Sequence, residues 1–360
     1  MKQTIAFLGK GGTGTTTLAL AAAYQAHLQG KKTLFVTQEA AFSVSEILGH
    51  PVGKETTTLS EGFDAIQVSA TDLLEKGWNK VRSLEGQYLK TPFFKDIYGQ
   101  ELGVLPGFDE FNILILLKDW HVKYDLIVLD LASPLATLRL LSTADQLGWY
   151  VRRFQELFQR SPLGQTLGPF LEPLAQTVLA AGLSGDKIRS SGSQLVDLIE
   201  EARKASEQEV TLYLVANQDA LTLSSARRYW GAGQLFNLRY GGVLFNRVSA
   251  VTDAMQKAFP GLEYHALPEV SEWQGLVKHL PPIKETKDLP APIQLDEKAL
   301  TLSVHLPGYG KKEVELSQYG PELTLRVADQ RRNLILPGAF RNKRATGAKF
   351  SEDRLVLTFG

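Results

Sequence analysis

Residues 9–17 read Gly9-Lys10-Gly11-Gly12-Thr13-Gly14-Thr15-Thr16-Thr17, set between a short apolar run, Ile5–Leu8, and an alanine-rich one, Leu18–Leu28. Strand, glycine loop and helix in that order turn backbone N–H groups and a helix N-terminus toward a phosphate. The spacing fits the phosphate-loop pattern G-x-x-x-x-G-x-[ST], with Gly9, Gly14 and Thr16 in register. Where that pattern carries its lysine, this chain has Thr15. A variant form of the loop, G-K-G-G-x-G-K-T-T, has an earlier lysine as well, and Lys10 stands there.

The chain around this loop has 360 residues, enough for one large domain and a small one. It is 44% apolar and 22% charged, as soluble globular chains are. Its formal net charge of zero gives no long-range attraction to nucleic acid or acidic membranes, so neither is expected as the main partner. There is no cysteine, which excludes disulfides, thiolate metal sites and cysteine nucleophiles. No apolar run approaches the ~18–20 residues of a spanning helix, and no signal-peptide pattern opens the chain, so stable membrane insertion is not expected and the expected location is cytoplasmic.

Working outward, the fold class is α/β. Ile5–Leu8 reads as a strand buried on both faces, and Thr16–Gln29 as the first helix, ended by Gly30. Thr33–Thr37, Phe63–Val68, Tyr124–Leu129, Glu209–Ala216 and Gly241–Phe245 read as further strands, alternating with helices as in a parallel sheet with right-handed crossovers. Asp130 ends the Tyr124–Leu129 run. Two strand-free helical stretches, about 70–122 and 150–205, are expected to form a subdomain beside the sheet. Pro281, Pro282, Pro290 and Pro292 mark 281–293 as a stiff linker. Beyond it, in 294–360, the period changes to two over short runs such as Leu300–Leu306, Leu323–Val327 and Leu355–Phe359, predicting a small all-β domain.

Residues 1–280 resemble the ArsA-type ATPases, which include the arsenite-pump ATPase and the ATPase that targets tail-anchored proteins. The resemblance rests on five motifs in order: GKGGTGTTT at 9–17; TQEAAFSVSE at 37–46, similar to the family's switch I; LPGFDEF at 105–111; DLASPLATLRLL at 130–141, similar to switch II; and VLFNR at 243–247. It implies a P-loop NTPase fold that binds ATP and Mg²⁺. On that likeness Gly9, Lys10, Gly11, Gly12, Thr13, Gly14, Thr15, Thr16 and Thr17 form the phosphate cradle, with Thr17 at the α-phosphate. Asn246 and Pro268 flank the adenine. Thr16 and Asp130 hold the metal. Lys10, Glu39 and Asp130 are the catalytic candidates: Lys10 reaching across a homodimer to the partner's nucleotide, and Glu39 at the position of the family's water-activating aspartate.

The same comparison marks departures. Thr15 removes an ammonium from between the phosphates, and charge-assisted bonds of that kind contribute about 1.5–3 kcal/mol each. Glu39 carries its carboxylate one methylene further than aspartate would. Phe42 and Ala136 replace family histidines, and Ser133-Pro134 replaces a Pro-Thr pair. The family's zinc-bridging and metalloid-binding cysteines have no counterpart, which implies a role other than arsenite transport. The helical stretches read equally as plain core or as a groove for a protein client.

The tail resembles the α-crystallin domain of small heat-shock proteins through LPGYGKKEVELS (306–317), PELTLRV (321–327), RRNLILPGAF (331–340) and AKFSEDRLVLTF (348–359). That likeness implies a β-sandwich fold. Two functions follow from the whole: an Mg-ATP-hydrolysing, nucleotide-controlled client- or partner-binding protein, or a nucleotide-binding scaffold or chaperone-like protein with degraded ATPase activity.

Overall fold

A computed structural model describes residues 2–38, 41–69, 71–72, 75, 78–79, 98, 108–159 and 193–360. Among them lies a mixed sheet of eight strands: β1 (Gln3–Gly9), β2 (Thr33–Thr37), β3 (Thr57–Ser60), β4 (Phe63–Gln67), β5 (Leu126–Asp130), β6 (Val210–Ala216), β7 (Arg239–Asn246) and β8 (Tyr264–Leu267). Their order is β3-β4-β2-β5-β1-β6-β7-β8. All neighbours are parallel except the β3–β4 pair at one edge. The central strands read as unbroken apolar runs because both faces are covered. Successive β1 side chains alternate between two cores. Ala6 and Leu8 face one, while Ile5 and Phe7 face the other.

The Ile5 face is covered by α1 (Thr15–Leu28), whose Leu18 to Ala23 run is buried throughout; its alanines let the helix lie close on the sheet. Beside it sits α2 (Ala41–Leu48), held where the indole of Trp273 donates to the Ile47 carbonyl. The opposite face carries α3 (Phe108–Lys123), α4 (Pro134–Gln159), α5 (Ser193–Gln208) and α6 (Ala220–Leu235), with a short α7 (Asp253–Ala258) beyond. α3 falls within the first stretch expected to form a subdomain beside the sheet, and its Ile113 and Leu117 belong to the main core. The 71–102 portion of that expectation and residues 160–192 lie largely outside the described residues.

Two antiparallel sheets make up the C-terminal domain. One is β14-β15-β10-β9, formed by β9 (Ile293–Asp296), β10 (Thr301–His305), β14 (Ala345–Ser351) and β15 (Arg354–Phe359). The other is β11-β12-β13, formed by β11 (Val314–Tyr319), β12 (Glu322–Val327) and β13 (Gln330–Ile335). Alternating burial along β12 and β15 places Leu323, Leu325, Val327, Leu355, Leu357 and Phe359 in the core they share.

The proline-bearing stretch is laid against the sheet. Arg239 donates to the Thr286 and Leu289 carbonyls at 2.8 and 3.0 Å, the Tyr213 hydroxyl accepts from Lys284 N–H at 2.9 Å, and Gln3 donates to the Lys284 carbonyl. The β domain then packs on α6, and its core runs on into the core beneath that helix. Gly231, inside α6, permits the contact: a Cβ there would lie 2.2 Å from the Pro307 carbonyl and 2.8 Å from the Tyr309 ring. Trp230 meets His305 edge to face at 4.8 Å, Arg228 sits 4.5 Å over the Tyr309 ring, and Arg227 pairs with Asp353. Deeper, Arg332 is 4% exposed; it donates to Glu207 at 3.0 Å, to Asp145 at 3.4 Å and to the Leu235 carbonyl at 2.9 Å. One arginine of the β domain thereby ties α4, α5 and α6 together.

Candidate functional site

The site lies at the C-terminal ends of β2, β5, β1 and β7, where the strands release their loops. β1 sits between β5 and β6, so the loop after Gly9 emerges beside Asp130. The Lys10 carbonyl accepts from Thr13 N–H at 3.1 Å and from the Thr13 hydroxyl at 2.7 Å, closing a turn. Gly14 then starts α1 with φ of 90°, a left-handed conformation that L side chains disfavour. No side chain caps the helix and no acid lies in its first turn. Its leading N–H groups are left for an anion, and the positive end of the helix dipole points the same way.

Space above the loop suits that use. A Cβ built on Gly11 or Gly12 meets nothing within 4 Å, and both glycines are exposed. Gly9 is enclosed instead: a Cβ there would come within 2.9 Å of the Val215 carbonyl and 3.0 Å of Thr15 Cγ2. Thr15 therefore lies back against the end of β1. Lys10, Thr15, Thr16 and Thr17 are all half-buried at the loop rim.

Beneath the helix start is a carboxylate held from two sides. Asp130, 4% exposed, accepts from the Thr16 hydroxyl at 3.0 Å and from the Thr37 hydroxyl at 3.1 Å, one on each oxygen. Burying an ionised carboxylate is costly without such partners. The metal candidates Thr16 and Asp130 are thus in direct contact. A hydroxyl and one carboxylate suit Mg²⁺, which completes its shell with phosphate oxygens and water. Among the described residues no group of three or more His, Cys, Asp or Glu side chains gathers as a metal cage.

Sequence reading passed over two ties between the switch segments. Thr37 is one. Gln38 is the other: its N–H donates to the Asp130 carbonyl at 2.9 Å, and its side-chain oxygen accepts from Ala132 N–H at 3.3 Å. Their only signal was position, directly after a strand that pairs with β5. Ser133-Pro134 also gains a role. The Ser133 hydroxyl accepts from Ala136 N–H at 3.1 Å and caps α4, with Pro134 in the first helical position, where its missing N–H costs nothing. Glu39 lies outside the described residues, as do Leu105, Pro106 and Gly107 of the 105–111 motif, whose remainder opens α3.

On the other flank Asn246 ends β7, 5% exposed, and its side-chain nitrogen donates to the Thr13 carbonyl at 2.8 Å. Pro268 follows β8, whose Leu267 is the register partner of Asn246, so the two expected base-flanking residues do stand together. Among the described residues no helix is long and apolar enough to cross a membrane.

Residues 2–263 match the family described as "Anion-transporting ATPase", and residues 297–359 match the "HSP20-like domain found in ArsA". A putative arsenical pump-driving ATPase of Chlorobaculum tepidum is 26% identical over 279 residues, covering 74% of this chain and 67% of that protein. Putative arsenical pump-driving ATPase 1 of Aquifex aeolicus is 21% identical with 98% of each chain covered. The ATPase ASNA1 homolog 1 of Paramecium tetraurelia is 30% identical over 139 residues, 37% of this chain and 41% of that one. The chain belongs to the ArsA ATPase family, with an HSP20-like domain at its C-terminal end.

Proposed function

We propose that this protein binds Mg-ATP in the 9–17 loop and uses the bound nucleotide to control association with a protein partner. One observation carries the reading: the Thr16–Asp130–Thr37 triad sits under an uncapped helix N-terminus with open space above Gly11 and Gly12. Backbone N–H groups of the loop would hold the phosphates, Thr16 and Asp130 the metal, and Asn246 with Pro268 the base. Bound Mg²⁺ would offset the charge that spreads over phosphate oxygens during phosphoryl transfer. Glu39 is the candidate to orient water. Lys10 is the cation available to the site, supplied across a homodimer on the ArsA resemblance. The absence of any thiol leaves a soft metalloid without its preferred ligand, so the role proposed is not arsenite transport. The compartment proposed is the cytoplasm.

ATP-dependent phosphate release by the purified chain tests this, with Asp130→Ala as the control. Release that disappears in the variant supports the reading, and release equal in both overturns it. Thr15 favours a second reading, in which nucleotide binds but turnover has decayed and the protein serves as a scaffold. Thr15→Lys separates the two: hydrolysis that appears only in that variant establishes the scaffold.

A further inference from the structure

The phosphate loop is braced from outside by one side chain. Thr13 is 4% exposed and serves as the hub of the loop, with its N–H and hydroxyl both turned back to the Lys10 carbonyl. Its own carbonyl accepts from Asn246 Nδ2 at 2.8 Å. Asn246 reaches it from β7, two strands away across β6. A Cβ on Gly14 would lie 2.5 Å from that same nitrogen. The amide therefore fills the space beside the left-handed turn that opens α1, as well as bonding the residue before it.

We propose that Asn246 is a positioning residue of the phosphate loop, acting through the Thr13 carbonyl and the closely packed Gly14 turn. This rests on the reading of 9–17 as a phosphate site and extends it. A side-chain amide has one donor nitrogen and one acceptor oxygen. Here one of the two N–H groups is committed to the loop, and Oδ1 is the acceptor for an exocyclic amine of a base. Base and phosphates would then be read through one rigid group, and a base that displaced Asn246 would loosen the phosphate cradle. Pre-set geometry matters more in this chain than in a loop with its lysine, because backbone N–H groups must supply more of the phosphate contact.

The test uses the full chain with Asn246→Asp, which keeps the shape but turns an acceptor toward the Thr13 carbonyl, and Asn246→Ala, which removes both groups. Amide exchange over residues 10–16 without nucleotide is expected to quicken about three- to tenfold, the worth of one hydrogen bond, with β1, β5 and β6 unchanged. Binding of Mg-tripolyphosphate, which has no base, is expected to weaken by a similar factor. Wild-type loop exchange and wild-type tripolyphosphate affinity in both variants, with only ATP weakened, would reduce Asn246 to a base contact and overturn the proposal. Faster loop exchange in variants of a protein that binds no tripolyphosphate at all would leave the brace standing and remove the phosphate-site reading. If the aspartate variant does not fold, the alanine variant decides.

Discussion

The phosphate loop and the seat of the C-terminal domain on α6 use opposite physics. At the loop, an uncapped helix start stands beside open space above Gly11 and Gly12, with the metal candidates Thr16 and Asp130 bonded to each other beneath it. At the seat, space is filled to contact: Gly231 admits the Pro307 carbonyl, and a nearly buried arginine meets two carboxylates. The first arrangement leaves polar groups unpaired so that a ligand can pair them. The second pairs them within the chain and fixes two domains in one position. An HSP20-like domain held this way belongs to the ATPase body, and its L-P-G turn is spent on that contact.

If the seat is as described, its arginine is the most sensitive point. Arg332→Ala leaves buried Asp145 without the cation that bonds it and Glu207 with Arg203 alone, and breaking a buried pair of this kind costs about 3–5 kcal/mol. Denaturant unfolding should show it, and a loss under about 1 kcal/mol would mean the pair is solvated. Gly231→Ala is next. At an ordinary helix interior this change stabilises by about 1 kcal/mol. Here the added methyl meets the Pro307 carbonyl, so the predicted sign is reversed, and a rise in melting temperature would sink the close contact.

Acid should weaken the seat more gently. Burial holds His305, at the domain contact, and His121, at the base of the sheet, down to about 4. The unfolded chain therefore binds more protons between pH 6.5 and 4. Their contribution is whole above 6.5 and is lost as pH falls toward 4. Burial raises the Asp145 carboxyl, which works in the other direction and blunts the slope. Stability measured across that window should decline less steeply in His305→Gln; an unchanged slope would show that this imidazole does not report on the contact.

The difference between the two regions also explains what could be read from the residues. The loop is local: β1, Gly9–Thr17 and α1 are consecutive, and the five-residue strand 33–37 has the limits its apolar run gave. Asp130 and Asn246 were legible because each ends a buried strand within a motif. The bond that joins Asn246 to Thr13 spans 233 positions and has no local sign. Arg332 and Asp145 are 187 apart, and nothing about Arg332 in the RRNLILPGAF run distinguishes it from its exposed neighbour Arg331. Edge strands escaped for another reason. β3 and β14 carry mostly polar or small residues and gain their pairing from a neighbour instead of from an apolar pattern, and the four residues of β9 are too few for their alternation to stand out. The proline-bearing stretch reads as a linker by composition, and its bonds to Arg239, Tyr213 and Gln3 come from residues far off in the chain.

On the function proposed, backbone amides and a threonine-braced carboxylate capture a nucleotide without the lysine that Thr15 replaces. Calorimetric titration of the full chain with ATP, in Mg²⁺ and then in a chelator, tests it most directly. Saturable heat that requires the metal and vanishes in Asp130→Asn is the predicted result; no heat in either condition, or identical heat in both, contradicts it.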